Sequence, residues 1–217
     1  MLASSCSVYG RQSGGVADES TEPNPPLTTY AKANLMAERD VLPLAGDSFT
    51  AVALRFATVY GPSRRMRFDL VVNAMTLSAM QEGGRIYVEG DGMQQRPLVH
   101  VLDVARAVAM MLEAPRDRVS GGEAFNVGSD GQNYRIIDVA KEVQAITGSE
   151  VAFRGGEVDK RSYAVSFRKI RSLGYDTLYA VGGDGGVRQV YHEVLLGYLR
   201  PEERWWTVKW YKRLLGK

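Results

Sequence analysis

Apolar runs along the chain alternate with breaks marked by glycine, proline and small polar residues, and the run lengths switch between those of strands and those of helices. Residues 1–10 read as one short strand with hydroxyls gathered at its tip, at Ser4, Ser5, Ser7 and Tyr9. Residues 11–29 carry Gly14-Gly15, Pro23, Pro25 and Pro26 and read as an irregular loop. Thr28 or Thr29 can cap the helix that follows, with Leu35, Met36 and Ala37 in its interior and an end near Ala45-Gly46. Residues 49–60 form the next strand, centred on Val52-Ala53-Leu54. A strand, a helix of about a dozen residues and another strand form the signature of a parallel sheet.

The pattern continues with a helix over residues 69–80, a strand over 85–89 and a turn at Gly90-Asp91-Gly92. Residues 96–101 are extended, and Asp103 is placed to cap a helix running to about Leu112. Residues 125–128 read as a buried strand. Residues 135–147 read as a helix whose apolar stripe is Ile136, Val139, Ala140, Val143 and Ile146, and 151–154 as an edge strand. Beyond Gly155 come a short helix over 166–173, a glycine turn over 182–186 and a helix over 187–198. Trp205, Trp206, Trp210 and Tyr211 repeat at helical spacing, which predicts a C-terminal helix packed on the body rather than a recognition surface.

The 217 residues, 45% of them hydrophobic, suit one domain or a compact pair of layers. A chain of this length buries roughly 70% of the surface its unfolded form exposes. The net charge of +2 implies neither nucleic acid nor an anionic membrane as a partner. Arg64, Arg65 and Arg67 form a tight basic run that reads as a solvated loop. Cys6 stands alone, so no internal disulfide framework is expected, and with His100 and His192 as the only imidazoles no metal site is expected. His100, between Val99 and Val101, reads as a core histidine. No secretory segment or apolar span of transmembrane length appears, which makes a soluble, cytoplasmic protein the expectation.

Ser5, Cys6, Ser7 and Tyr9 fall where parallel sheets place ligands, at the carboxyl ends of strands. Tyr30 opens the following helix, so a serine and a tyrosine can share a substrate oxygen and move its proton. A tyrosine hydroxyl titrates near pH 10, and a neighbouring ammonium would bring it toward neutrality. Position 34, one turn on and on the same face, is an asparagine, and Lys32 points to another face. Arg96 and Arg161 are the best anion-binding candidates, because a guanidinium fork matches phosphate oxygens in pairs. The run Gly182-Gly183-Asp184-Gly185-Gly186 lacks the spacing of a dinucleotide fingerprint and does not read as a cofactor loop.

Ser4-Ser5-Cys6-Ser7-Val8-Tyr9-Gly10, the 25-residue step from Ser5 to Tyr30, Leu54-Arg55-Phe56-Ala57-Thr58-Val59-Tyr60-Gly61-Pro62, Arg96 through Ala105 and Phe125-Asn126-Val127-Gly128 come in order. Together with Asp159-Lys160-Arg161-Ser162 they resemble the extended short-chain dehydrogenase/reductase superfamily, specifically its NAD-dependent epimerase/dehydratase family acting on nucleotide sugars. The resemblance implies an α/β fold: an incomplete Rossmann-like parallel sheet with helices, plus a small C-terminal α/β substrate-binding region. Residues 1–62 would be the C-terminal part of the Rossmann-like domain, and 63–217 a mixed, interleaved core and substrate-binding region.

By the same resemblance, Ser5, Tyr30 and Asn34 occupy catalytic positions, with Asn34 in place of the family's lysine. Tyr30, Asn34, Phe56, Thr58 and Val59 would hold the nicotinamide end of NAD, and Ser7, Asp69, Arg96 and Arg161 the nucleotide sugar. NADP is not separated from NAD, since the family's discriminating residue precedes the matched stretch. The glycine-rich turn for the pyrophosphate lies outside these residues too, so a truncated product is expected. The expected partners are a nucleotide sugar and a second copy in a homodimer, with no nucleic acid and no membrane. Two functions follow: the catalytic and substrate-side portion of an epimerase or dehydratase, and an inactive binding or scaffold protein retaining a nucleotide-sugar pocket.

Overall fold

The computed structural model describes residues 1–216 except 13, 24, 82 and 156–161. In chain order the first elements are β1 (Leu2–Ser5), β2 (Val16–Ala17), α1 (Thr29–Val41), β3 (Val52–Phe56), β4 (Thr58–Tyr60) and α2 (Val71–Met80). Next come β5 (Arg85–Glu89), β6 (Gln95–His100), α3 (Val101–Glu113), α4 (Arg116–Val119), β7 (Glu123–Val127) and β8 (Asn133–Arg135). The last are α5 (Ile136–Thr147), β9 (Glu150–Arg154), β10 (Ala164–Val165), α6 (Arg168–Arg171), α7 (Gly186–Leu195) and α8 (Thr207–Leu214). The chain divides into two compact units: residues 1–59, 94–134 and the described part of 159–178 make the first, and the remaining described residues the second. After Val59 the segments alternate between the units.

The first unit is built on a parallel sheet in the order β1–β3–β7. Its strands are short and apolar, and Ala53, Leu54 and Val127 are fully buried. Strands covered on both faces read as continuous apolar runs, which is why residues 52–54 were legible. α1 crosses between β1 and β3 and packs along β1. Thr28 caps it, its side chain accepting from Ala31 N at 3.1 Å, which satisfies a donor the first turn leaves open. β2 pairs with β10, and β6 lies between β4 and β8 in another sheet. The core of this unit gathers Val8, Leu54, Val99, Met111, Phe125, Phe167 and Ile170.

The second unit pairs β5 with β9 in parallel and packs α2, α5 and α7 around them. Val139, Ala140 and Val143, the centre of the predicted stripe of α5, are fully buried. A smaller core joins Met66, Phe68, Leu77, Val190, Leu199 and Trp205, with Phe68 stacked on Trp205 at 5.8 Å between ring centroids.

Three local expectations are corrected. The first strand stops at Ser5, and Cys6–Tyr9 form a 3-10 turn closed by Gly10 at φ 63°, where a side chain would be strained. The long strand over 49–60 breaks at Ala57, whose N–H makes the last bond of the β3–β7 ladder, to Val127 O at 3.0 Å, before β4 joins β6 in another sheet. Asp103 does not cap α3: His100 does, its Nδ1 accepting from Leu102 N, while Asp103 lies buried in the first turn and accepts from Arg106 Nη1 and Leu178 N.

Candidate active site

Ser5, Ser7, Tyr30, Asn34, Phe56, Thr58, Val59 and Arg96 all belong to the first unit. Ser5 ends β1 and is the register partner of Phe56 at the end of β3, so both sit at the carboxyl edge of adjacent parallel strands. Ser5 Oγ accepts from Ser7 N at 3.2 Å, which starts the 3-10 turn and leaves the hydroxyl proton of Ser5 available to another acceptor. Ser7 Oγ is buried and has no hydrogen-bond partner among the described residues. Thr58 and Val59 follow Phe56 in β4.

Tyr30 lies in the first turn of α1 and is 62% exposed. Asn34 stands one turn further on and donates from Nδ2 to the Tyr30 carbonyl at 3.0 Å. The amide is therefore tied back onto its own helix, with Oδ1 left to accept, and it supplies no charge. Cys6 and Tyr9, expected beside Ser5 and Ser7 at a ligand-facing strand end, point instead into the core and are 1% and 0% exposed. Burial drives the titration of both well above its ordinary value, and Arg55 offsets this only in part. Tyr9 is thereby excluded as a base, and Tyr30 is the accessible phenol.

Beneath these residues lies a buried polar network that the sequence reading missed. Arg55 donates to both oxygens of Glu38, at 3.1 Å from Nε to each and 2.6 Å from Nη2 to Oε2, and from Nη1 to Tyr9 Oη at 2.9 Å. Tyr9 Oη donates to Asn126 Oδ1 at 2.8 Å, and Asn126 Nδ2 donates to Ser166 O at 3.1 Å. Ser4 Oγ donates to Glu38 as well. The network ties α1 to β1, β3 and β7 by charged and polar bonds as well as by packing. Burial alone would push the Arg55 guanidinium down, and its bonds to Glu38 and the contact with Tyr9 hold it above its ordinary value. Glu19 accepts from Asn126 N at 2.7 Å, and burial nevertheless raises its carboxyl. A signal existed in the sequence: Glu38 lies on the apolar face of α1 with Ala31 and Leu35, and Arg55 interrupts an apolar strand.

Arg96 is a buried residue of β6, with its guanidinium 5.5 Å from the centre of the Tyr163 ring and Nη1 donating to Gln95 O. The neighbouring Gln95 N donates to Ser162 Oγ at 3.1 Å, so the segment that follows Arg161 runs beside the strand of Arg96. Arg161 itself lies outside the described residues. Asp69 belongs to the second unit, where Arg67 holds its carboxylate through two 2.9 Å bonds and Val208 N donates to it at 3.1 Å. These partners outweigh the burial that would raise it, and its titration falls below the usual carboxylate range.

The glycine turn is also accounted for within the second unit. A Cβ on Gly182 would lie 1.8 Å from Glu142 Oε2, so a protein carboxylate already occupies the space beside it. Among the described residues no group of three or more His, Cys, Asp or Glu side chains is placed to hold a metal ion. No helix among them is long and apolar enough to cross a membrane.

The sequence and the fold have counterparts among known proteins. The profile of the NAD dependent epimerase/dehydratase family matches residues 1–128. The uncharacterized UDP-glucose epimerase YtcB of Bacillus subtilis (strain 168) is 29% identical over 150 residues, covering 68% of this chain and 44% of that protein. A dTDP-glucose 4,6-dehydratase of Actinoplanes sp. is 27% identical over 209 residues, covering 92% of this chain and 59% of the relative. Among solved structures, MoeE5 in complex with UDP-glucuronic acid and NAD superposes with a TM-score of 0.75 at 30% identity, over 90% of this chain and 64% of that one. The chain thus spans about half the length of the curated relatives it matches. Its α/β fold is that of their Rossmann-type sheet and helices, and the chain belongs to the NAD-dependent epimerase/dehydratase family.

Proposed function

We propose that this chain is the catalytic and substrate-holding portion of an NAD-dependent nucleotide-sugar epimerase or dehydratase. The reading is supported by two placements: Ser5 ends a parallel strand, and α1, which packs along that strand, carries an accessible Tyr30 in its first turn. The residues present fit the nicotinamide end of NAD: Phe56, Thr58 and Val59 continue from the register partner of Ser5, and Asn34 Oδ1 is left to accept from a ribose hydroxyl. The pyrophosphate has no matching glycine-rich turn within these 217 residues. When bound, NAD would supply hydride acceptance and return at a sugar carbon.

The chain's own residues do the rest. The phenol of Tyr30 takes the proton from a sugar hydroxyl, and Ser5 donates its hydroxyl proton to the same sugar oxygen, steadying the charge that develops there. Arg96, and Arg161 with it, hold the diphosphate through paired donors. Remote binding of that kind orients the ring against Tyr30 and converts affinity into rate.

Asn34 supports the second reading, a nucleotide-sugar binding protein without turnover, because it removes the ammonium that would favour the phenolate. Each pKa unit of lost stabilisation is worth about 1.4 kcal/mol, or tenfold. The two readings separate on one substitution. With NAD and either UDP-glucose or dTDP-glucose, Asn34→Lys is expected to raise product formation at least tenfold, and Tyr30→Phe added to it to abolish the gain. Retained nucleotide-sugar binding with no gain from Asn34→Lys would establish the binding reading. Loss of both binding and turnover would contradict the two together.

A further inference from the structure

The C-terminal segment departs from its expected role. Trp205 is buried and Trp206 packs on Phe68 at 5.7 Å, but α8 beyond them buries no residue. Val208, Tyr211, Leu214 and Leu215 are 54%, 52%, 61% and 69% exposed. At 100° per residue these four side chains fall within an arc of about 120°. Lys212, Lys209 and Arg213 fill the opposite arc. The half-turn toward the body, with Trp206 and Trp210, is only partly covered. The helix therefore carries a bare apolar flank bordered by cations.

The charge is local. Residues 204–217 contain five basic side chains (Arg204, Lys209, Lys212, Arg213 and Lys217) and no acidic one. Arg204 and Arg213 pair with Glu202 and Glu203. Lys209 and Lys212 form no ion pair among the described residues. The net charge of +2 for the whole chain averages this cluster away.

We infer that α8 is an interfacial anchor, lying in the plane of an anionic lipid bilayer with Tyr211 and Leu215 in the headgroup–acyl boundary and Lys209 and Lys212 on lipid phosphates. A basic amphipathic helix with a tyrosine on its apolar flank has the chemistry of that boundary. At eight residues it spans about 12 Å, so it lies on the surface and does not cross. Charge decides against the other occupants. A second copy meeting this face around a two-fold axis would bring the same lysines against themselves. A nucleic-acid backbone would satisfy the lysines and leave the apolar flank in water. The inference is independent of the enzymatic reading.

All three tryptophans of the chain, Trp205, Trp206 and Trp210, lie in or just before this helix, so tryptophan emission reports on the helix and on the small core it starts from. The test titrates the full chain with phosphatidylcholine vesicles, with and without a phosphatidylglycerol fraction. Vesicle flotation and tryptophan emission are read together. The expected result is flotation and a shift of emission to shorter wavelength with anionic vesicles only, lost when about 0.5 M salt shortens the screening length to roughly 4 Å. Lys209→Gln with Lys212→Gln should weaken partitioning about 25-fold, at roughly fivefold for each charge. Tyr211→Ser with Leu215→Ser should weaken it without altering the salt dependence. Both pairs of positions are exposed, and an unchanged melting temperature confirms that the fold is kept. Absence of flotation on anionic vesicles overturns the inference. So does self-association that Tyr211→Ser with Leu215→Ser abolishes, or tighter binding to duplex DNA than to anionic vesicles.

Discussion

Glu38 lies 3% exposed on the buried face of α1, the helix whose first turns carry Tyr30 and Asn34, and it is satisfied by Arg55 and Ser4. Such a pair owes its place less to net stability than to the penalty for breaking it, since a lone buried charge has no water to turn to. Glu38→Ala is expected to destabilise the first unit by about 3–5 kcal/mol, and Glu38→Leu combined with Arg55→Met by much less. Denaturant unfolding of both variants checks the contrast, and equal losses would contradict it. Residue type was readable in the sequence here, but partnership was not. Glu38 and Arg55 are 17 residues apart, and Tyr9 and Asn126 are 117 apart, so no local pattern joins them. The position of Asn34 was legible because it needs only helical spacing. Its bond to the Tyr30 carbonyl required coordinates.

The bounds of β5, β9 and α5 were read within a residue, whereas α1 and the strand at 52–56 were placed but read too long. Breaks within a run were not read. The 3-10 turn at Cys6–Tyr9 looked like more strand because four residues are too few to reveal a period, and what ends β1 is the bond from Ser7 N to Ser5 Oγ. The aromatic spacing of the tail located α8, yet could not say that its outer flank stays bare. Where α8 begins, Asp69 holds it, pairing with Arg67 and accepting from Val208 N. Its carboxyl titrates lower in the fold than in the unfolded chain. It therefore contributes stability that is present above about pH 4 and is lost as the pH falls through its folded value. Tryptophan emission of the wild type should move in that acid range toward that of Asp69→Ala, with the two converging at the lowest pH. A constant difference across the titration would mean that the carboxylate does not hold the helix.

At the scale of the molecule, ordered motifs identified the family more securely than any single element, because they survive uncertainty about where each strand ends. Charge behaved in the opposite way. A near-balanced total concealed a cationic C-terminal segment. The alternation of the chain between two units is not a local property of the sequence, since the return at residues 94–134 depends on contacts distant in sequence.

The proposed function requires that these 217 residues bind a nucleotide sugar through Arg96. Calorimetric titration of the chain with UDP-glucose and with dTDP-glucose tests it most directly, alongside Arg96→Lys, which keeps the charge and loses the paired donors. The account predicts saturable binding of at least one of the two, weakened about tenfold or more by Arg96→Lys in a variant with an unchanged melting temperature. Binding of neither sugar by the folded chain, or equal binding by the variant, would contradict it.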